Sequence, residues 1–294
     1  MRLLLPLVMI LLTACQSQPH LPTWQSPEGR GHRDLGQIVD LRSGVQISPK
    51  QLVDNLVEAD QVLVGERHDN PDHHALQLWL LQALAQRRAQ GSLLLEVLNP
   101  DQQDNVVQVQ ASIESGQWPT DLAAALDWQK GWEWSQYAPL LKHALAQPYP
   151  VMSANLDRPE IMRVYRHIPT LAGAPADRRV QRALLEQIRI SHCDMLPETQ
   201  LPAMLAVQQQ RDRRMADQLG AAPKPALLLA GAFHVRRDLG VPLHLPTQNG
   251  KALTRVLILA EVNDAVSADQ ADFVWFTPAQ PQQDHCAGLR KPME

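Results

Sequence analysis

Short, continuously apolar segments alternate with helical patterns along the chain. Continuous apolar strands are typical of a sheet that is buried on both faces. Between them, apolar residues recur at helical spacing, as at Leu76, Leu80 and Leu84. This alternation predicts an α/β fold with a mostly parallel central sheet flanked by helices. The predicted strands contain Val62–Val64, Leu93–Leu95, Val151–Met152, Ala226–Ala230, Val256–Ala260 and Phe273–Phe276.

Local signals predict further elements around this sheet. Residues 37–41 and 45–47 flank a glycine-containing turn, which predicts a small hairpin. Asn70 is a good helix cap, and Pro71 suits the first helical position, so a helix is predicted to begin there. Residues 157–206 contain helical patterns and no convincing strand, which predicts a small inserted helical subdomain.

The first fifteen residues resemble a bacterial lipoprotein signal peptide. Arg2 precedes the apolar stretch Leu3–Leu12, and Ala14 precedes Cys15, whose thiol would receive a diacylglycerol and an acyl chain such as palmitate. The stretch is shorter than the ~20 residues of a membrane-spanning helix. The alternatives are a chance cysteine after a secretory leader and a membrane helix at the start of the chain. The sequence predicts a lipid anchor at Cys15.

The residues after Cys15 bear on location and on organisation. Gln16 and Ser17 follow the cysteine in place of the aspartate that marks inner-membrane retention. By resemblance to that sorting rule, the outer membrane is predicted, on its periplasmic or surface face. Residues 16–33 are rich in Pro, Gly, Ser and Gln, which predicts a flexible tether ahead of one domain over residues 34–294.

Charge and cysteine content narrow the function. The formal net charge is −4, which argues against a nucleic-acid partner because such binding needs a clustered basic surface. Apart from Cys15, the cysteines are Cys193 and Cys286. They either form a disulfide in an oxidising compartment, or Cys193 is a buried or site-lining thiol. The sequence has no Cys-x-x-Cys-His motif, which excludes covalent haem of the c type.

Polar residues follow three of the predicted strands. Glu66 and His68 end one strand, Glu96 ends another, and His234 follows a third. If these strands are parallel neighbours, the four side chains converge at the edge where α/β proteins bind ligands. Such a set suits a divalent metal or proton transfer, and His73 in the next helix is a further candidate metal ligand. The alternatives are a purely structural role for Glu66 and His68, and a polar first-turn role for His73.

A second cluster is aromatic. Trp132, Trp134 and Tyr137 lie close together in the chain, with Lys130 and His143 nearby. These side chains suit the wall of a planar anionic ligand such as haem, whose iron takes His or Tyr. The alternative is a loop and a helix that are fixed by aromatic packing.

Taken together, these stretches resemble the ChaN-like haem-binding lipoproteins, in family order and over most of the chain. That resemblance implies an α/β fold with a small helical domain and a role in bacterial iron acquisition. It also implies non-covalent haem held between two copies, with tyrosine on the iron and basic side chains on the propionates. The matching segments are 64–74, 132–139, 153–156, 192–197, 209–216 and 230–242.

The resemblance leaves the tyrosine to be chosen from this chain's own residues. Tyr137 is preferred because it lies in the matching aromatic segment. Tyr165 is second because Arg163, Arg166 and His167 surround it.

The wider superfamily implies a rival function. Erythromycin-esterase-like and TraB-like proteins share the Gly-x-x-His pattern seen at Gly65–His68 and Gly231–His234. In a metal-dependent hydrolase, Glu66 or Glu96 would activate water, while the two histidines would bind metal or move protons. The bulky Phe233 beside His234 would narrow access for a substrate. A periplasmic interaction module that holds neither ligand is the third interpretation.

Overall fold

The computed structural model describes residues 19–246, 253–282 and 286. Within these residues, eight strands form one sheet in the order β2-β1-β8-β7-β3-β6-β4-β5. The strands are β1 (Ile38–Asp40), β2 (Val45–Ile47), β3 (Gln61–Glu66), β4 (Ser92–Leu95), β5 (Val151–Ser153), β6 (Ala226–Gly231), β7 (Thr254–Glu261) and β8 (Phe273–Thr277). Every predicted strand is present, and the predicted hairpin is the antiparallel pair β1 and β2.

The six strands β3 to β8 are parallel to one another, and β1 pairs with β8 in the antiparallel sense. Successive side chains of β3 enter opposite cores: Val62 and Val64 lie in one, and Leu63 lies in the other. Because both faces are covered, nearly every position of the central strands is apolar. The predicted α/β class with a mostly parallel sheet is confirmed.

Helices cover both faces of the sheet. In the part of the chain that the structure describes they are α1 (Pro49–Val57), α2 (Pro71–Ala85), α3 (Gln103–Glu114), α4 (Leu122–Ala125), α5 (Trp134–Leu145), α6 (Arg158–Arg166), α7 (Arg178–Ser191), α8 (Leu201–Ala221) and α9 (Ala232–Val235). Short 3-10 turns span Pro100–Gln102, Ala174–Ala176 and Val241–His244. None of the described helices is long and apolar enough to cross a membrane.

Two of these helices show how the chain specifies the packing. The side chain of Asn70 caps α2 by accepting a hydrogen bond from the Asp72 backbone N–H, as the sequence predicts. Helix α2 packs with α1 and α5 against one face of the sheet, whereas α8 covers the other face through Met215 and Leu219.

The predicted helical insertion over residues 157–206 contains α6 and α7. Its predicted end falls inside α8, because that helix has two roles along its length. Helix α8 contacts α6 and α7, and its second half also packs on the sheet through Met215 and Leu219. Arg214 of α8 forms an ion pair with Glu160 of α6, which fixes α6 to the same helix.

The predicted tether over residues 16–33 is wrong from Pro19 onward, where the chain is bound to the domain. Asp72 at the start of α2 accepts hydrogen bonds from the backbone N–H groups of Gln25 (2.7 Å) and Ser26 (2.8 Å). The indole of Trp79 donates to the carbonyl of Pro19 at 2.8 Å. Ser26 is fully buried. These partners lie far along the chain, so local composition could not reveal them.

Two further predictions concern the cysteines of the chain. The signal peptide and Cys15 lie outside the described residues. Cys193 at the end of α7 forms a disulfide with Cys286, with 5.7 Å between their Cα atoms. Of the two alternatives for Cys193, the structure therefore has the disulfide.

Candidate functional site

Three neighbouring parallel strands end at one edge of the sheet. Glu66 is the last residue of β3, and Gly231, the last residue of β6, lies beside it in register. Glu96 follows β4, the next strand along, and His234 lies in α9 directly after β6. The structure thus brings together Glu66, His68, Glu96 and His234.

His234 lies between two carboxylates and is almost fully buried. Its Nδ1 lies 2.5 Å from Oδ1 of Asp212, and its Nε2 lies 3.2 Å from Oε1 of Glu96. Burial opposes protonation of this ring, but the two carboxylates outweigh that effect and raise the pKa of His234 to about 10. His234 is therefore an imidazolium that donates from both nitrogens.

The pKa values of the two carboxylates around His234 are shifted in opposite directions. Burial favours the neutral form of Glu96, but His234 and His68, with the backbone N–H of Gly231 (2.7 Å), hold the pKa of Glu96 below its usual range. Burial dominates at Asp212, whose pKa is raised although His234 acts against the shift. Glu96 is thus the firmly ionised partner of His234.

Glu66 and His68 form the second pair of the site. Oε1 of Glu66 lies 2.5 Å from Nδ1 of His68. Burial lowers the pKa of His68, but the charge and hydrogen bond of Glu66 overcome this and raise it to about 9. The His68 side chain remains 45% exposed, and its Nε2 has no hydrogen-bond partner among the described residues. This N–H therefore points to open space.

Glycine is required where β6 passes His68. A Cβ atom on Gly231 would lie 2.9 Å from Cε1 and 3.1 Å from Nε2 of that ring. The missing side chain leaves room for the ring beside the strand end, which explains why glycine stands at this position.

A cavity of about 720 Å³ opens above this edge, and we call it the sheet-edge cavity. Its floor contains Glu66, His68, Glu96 and His234, and its walls come from the strand ends, α7 and α8. Apolar side chains that line it are Trp132, Ile188, Met204 and Phe233, and cationic ones are Arg67, Arg211 and Arg236. Its volume is that of a small-molecule site.

The structure does not support the predicted metal site. His68 directs Nδ1 at Glu66, and His234 directs its two ring nitrogens at Asp212 and Glu96, so three of these four nitrogens already have carboxylate partners. His73 lies elsewhere: its Nδ1 accepts from the Arg67 backbone at 2.8 Å, and its Nε2 donates to Thr277 at 2.9 Å. Among the described residues, no group of three or more His, Cys, Asp or Glu is arranged to hold a metal ion. The described residues therefore do not support the metal site that the predicted hydrolase would use.

The aromatic cluster joins the site through one residue. Trp132 lines the cavity, and its ring meets the edge of His68 at 4.8 Å between centroids. Trp134 packs on Trp128 at 5.0 Å instead. Lys130 is exposed and His143 is half-buried on α5, and neither lines the cavity. The alternative interpretation, aromatic packing of a loop and a helix, describes most of this cluster.

Tyr137, the preferred candidate ligand for haem iron, lies in the core. It is 4% exposed, and its ring packs 4.4 Å from that of His74. Burial, followed by the charges of Glu66 and Glu96, raises the pKa of Tyr137 above its ordinary value. This phenol neither reaches a surface nor ionises readily, so it does not fit the role.

Tyr165 has the opposite surroundings. It lies on α6, which has no buried residue. Met162, one turn earlier, is 38% exposed, and Ile168, just past the helix, is 53% exposed. Arg163 and Arg166 are exposed on the same helix, and neither forms an ion pair with the described residues. This arrangement is a partly apolar, cationic surface that contains a half-buried tyrosine.

The sequence analysis missed Asp212, the fully buried partner of His234. A signal was present, since Asp212, Met215, Ala216 and Leu219 share the spacing of one helix face, and that face is apolar. Glu96 is occupied by His234 and Gly231, so Arg211 does not pair with it. Arg211 lines the cavity instead, and its Nε is buried with no hydrogen-bond partner in the described structure.

Comparison with known proteins gives one specific result. Residues 52–245 match the protein-family model described as haem-binding uptake, Tiki superfamily, ChaN. The structure is similar to that of ChaN from Campylobacter jejuni, described as binding haem cofacially. The TM-score is 0.75 with 27% sequence identity, covering 86% of this chain and 98% of that chain.

The structural similarity to other proteins is weaker. Erythromycin esterase EreC gives a TM-score of 0.40 at 13% identity, with 80% of each chain covered. An effector domain of a Vibrio vulnificus toxin gives 0.42 at 15% identity, covering 81% of this chain and 39% of that chain. No curated protein matches the sequence significantly.

Proposed function

The chain belongs to the haem-binding ChaN family, and from this premise we propose that it binds haem non-covalently through Tyr165. The observation that carries the assignment is the contrast between two tyrosines. Tyr137 is buried in the core, whereas Tyr165 lies on a helix with no buried residue. An iron ligand has to be accessible to a planar molecule of this size, and the half-buried Tyr165 is better placed for this than the buried Tyr137.

The surroundings of Tyr165 fit the rest of the haem molecule. Bound haem supplies an iron that takes a phenolate oxygen, an apolar ring and two anionic propionates. Met162 and Ile168 present apolar surface for the ring on either side of Tyr165 along the chain. Arg163 and Arg166, with His167 at the end of α6, supply donors for the propionates. Their guanidinium groups are free to do so because they form no ion pairs with described residues.

An open surface buries only one side of haem, which favours a second copy of the chain as the other side. Exposed apolar surface of this kind marks an interaction site. The Campylobacter jejuni relative binds haem cofacially, and we propose the same use here, with haem bridging a homodimer.

The proposed location and role in iron acquisition are based on features of the sequence. Lipidation at Cys15 would anchor the protein to the outer membrane, and haem capture there would serve iron acquisition. The leader pattern and the family support this assignment.

Haemin titration tests the proposal. Protein lacking residues 1–15 is titrated while the visible spectrum and the molecular mass are recorded together. We expect a saturable Soret shift and a mass change from monomer to dimer. Tyr165→Phe should weaken haem binding about tenfold or more, a difference of about 1.4 kcal/mol or more.

Tyr137→Phe is the matched control and should leave the affinity within about twofold. Loss of binding in Tyr137→Phe with retention in Tyr165→Phe would contradict the assignment of the ligand. A spectral shift without the mass change would refute the shared site. The absence of any shift would refute haem binding itself.

A further inference from the structure

The sheet-edge cavity is not explained by a haem site on α6. No residue of α6 lines it, and its walls come from the strand ends, α7 and α8. A volume of about 720 Å³ is ample for a small organic molecule. The chemistry of its lining indicates which kind of molecule it suits.

Most charges of the lining already have partners. Glu66 is paired with His68, and Glu96 with His234. Arg67 is held by Glu261 (3.0 Å) and Asp264 (3.5 Å). Arg236 binds Asp238 through two nitrogens, at 2.9 and 2.6 Å.

Arg211 is the exception within the described lining. It forms no ion pair there, and its buried Nε has no hydrogen-bond partner. The neighbouring Asp212 does not neutralise it by contact, because Asp212 is fully buried against His234 and does not line the cavity. Because its guanidinium has no carboxylate partner and the residue lines the cavity, a bound anion would give it an ionic partner there.

His68 supplies a second donor in the same cavity. Glu66 occupies its Nδ1, so the unpartnered Nε2–H faces the cavity beside the bare backbone of Gly231. A guanidinium and an imidazole N–H in the lining of one cavity are donors of the kind that suit a carboxylate. Trp132, Phe233, Met204 and Ile188 supply apolar walls for the remainder of the ligand.

From this geometry we infer that the sheet-edge cavity is a second ligand site, separate from haem, for a small amphipathic organic carboxylate. Arg211 and His68 hold the carboxylate, and the aromatic and aliphatic walls hold an apolar body. Calorimetric titration with 2-naphthoate tests this, with neutral 2-naphthamide as the matched ligand. We expect 1:1 binding of naphthoate and about tenfold weaker binding of the amide.

Variants on α8 locate the site. Arg211→Gln should weaken naphthoate binding about tenfold, whereas Arg213→Gln, an exposed neighbour on the same helix, should change it less than about twofold. Equal effects of the two substitutions would overturn the inference. So would the lack of saturable naphthoate binding at millimolar concentration.

Haem competition separates this site from the haem site. Protein saturated with haem, and Tyr165→Phe protein that has lost haem binding, should both bind naphthoate as the wild type does. Displacement of naphthoate by haem, one for one, would assign the cavity to haem and overturn the inference. Failure of haem binding with retention of naphthoate binding would refute only the proposed function.

Discussion

Asp212 and His234 are 22 residues apart in sequence, yet Oδ1 of Asp212 lies 2.5 Å from Nδ1 of His234. Asp212 lies on the sheet-facing side of α8, and His234 on the short helix that follows β6. This contact orients the imidazolium so that its other nitrogen meets Glu96. It therefore links the helical layer to the edge where the candidate site lies.

Asp212→Ala should strongly destabilise the fold and lower the pKa of His234. The substitution removes one of the two carboxylates that hold the buried ring of His234 and leaves its Nδ1 without that acceptor, which typically costs about 1–3 kcal/mol of the free energy of unfolding, or more for a charged group. Urea unfolding measures the first effect, and NMR titration of the His234 ring measures the second. Asp217→Ala removes a carboxylate that is 69% exposed on the same helix. That control should change the free energy of unfolding by less than about 1 kcal/mol.

Gly231→Ala should displace the ring of His68. The new Cβ would lie 2.9 Å from Cε1 of that ring, which is held by Glu66 on one side and by Trp132 on another. Overpacking of this kind costs about 1–3 kcal/mol. Thermal unfolding should show the loss, and tryptophan fluorescence should report the disturbed contact with Trp132.

The matched control for that substitution is Gly220→Ala in α8. A Cβ on Gly220 meets no atom within 4 Å. Because alanine is the better helix former, we expect a gain of about 0.5–1 kcal/mol in the free energy of unfolding. A loss at Gly220 as large as that at Gly231 would show that the space around His68 is not the cause.

Stability should fall as the pH rises from about 7 to 10. The pKa values of His68 and His234 are raised to about 9 and about 10 in the folded protein, from an ordinary value near 6.5. Their contribution to stability is complete below the unfolded pKa and is lost as pH rises through the folded values. Urea unfolding at several pH values measures the slope, which His234→Gln should make shallower. A flat or rising profile in the wild type would contradict the charged state of these histidines.

The stability of the fold should also decrease at acidic pH. The pKa of Glu96 is held below its usual range in the folded protein. Its contribution is present above the unfolded pKa and is lost as the pH falls through the folded one. Glu96→Gln should therefore reduce the loss of stability on acidification.

Removing the disulfide should lower stability without changing the sheet. Cys193 and Cys286 are 93 residues apart, and closing a loop of this length contributes at most about 4–5 kcal/mol through the entropy of the unfolded chain. The Cys193→Ser and Cys286→Ser double variant should show this loss in urea unfolding. Reducing agent should affect the wild type and leave the double variant unchanged. An equal response of both proteins would contradict the assigned pairing.

The sequence predicts the sheet well because burial on both faces leaves a plain signal. Strand β3 is apolar from Val62 to Val64, so its position follows from composition alone. The order of neighbouring strands then brings Glu66, Glu96 and His234 together. Asp212 was not predicted as a site residue because a charged residue in a helix is more often exposed to solvent. Its role depends on contact with the imidazole ring of His234, which belongs to another element.

In two segments of the chain, tertiary contacts override what the local composition predicts. Tyr137 lies in a segment rich in tryptophan, and its burial follows from packing against His74 of α2, which the segment itself does not reveal. Pro19 lies in a Pro- and Gln-rich stretch, yet Trp79 supplies a hydrogen bond from 60 residues away. Neither contact produces a periodic pattern of apolar residues in the sequence.

The binding of residues 19–26 to α2 changes the reach of the proposed lipid anchor. Four residue steps separate Cys15 from Pro19, which corresponds to a span of at most about 13–14 Å at ~3.3–3.6 Å per residue. A tether that ended at residue 33 would have allowed about 60 Å. If Cys15 is lipidated, the domain would therefore be held close to the bilayer, on the side where Trp79 of α2 binds Pro19. Such a protein would have little freedom to move away from the membrane surface.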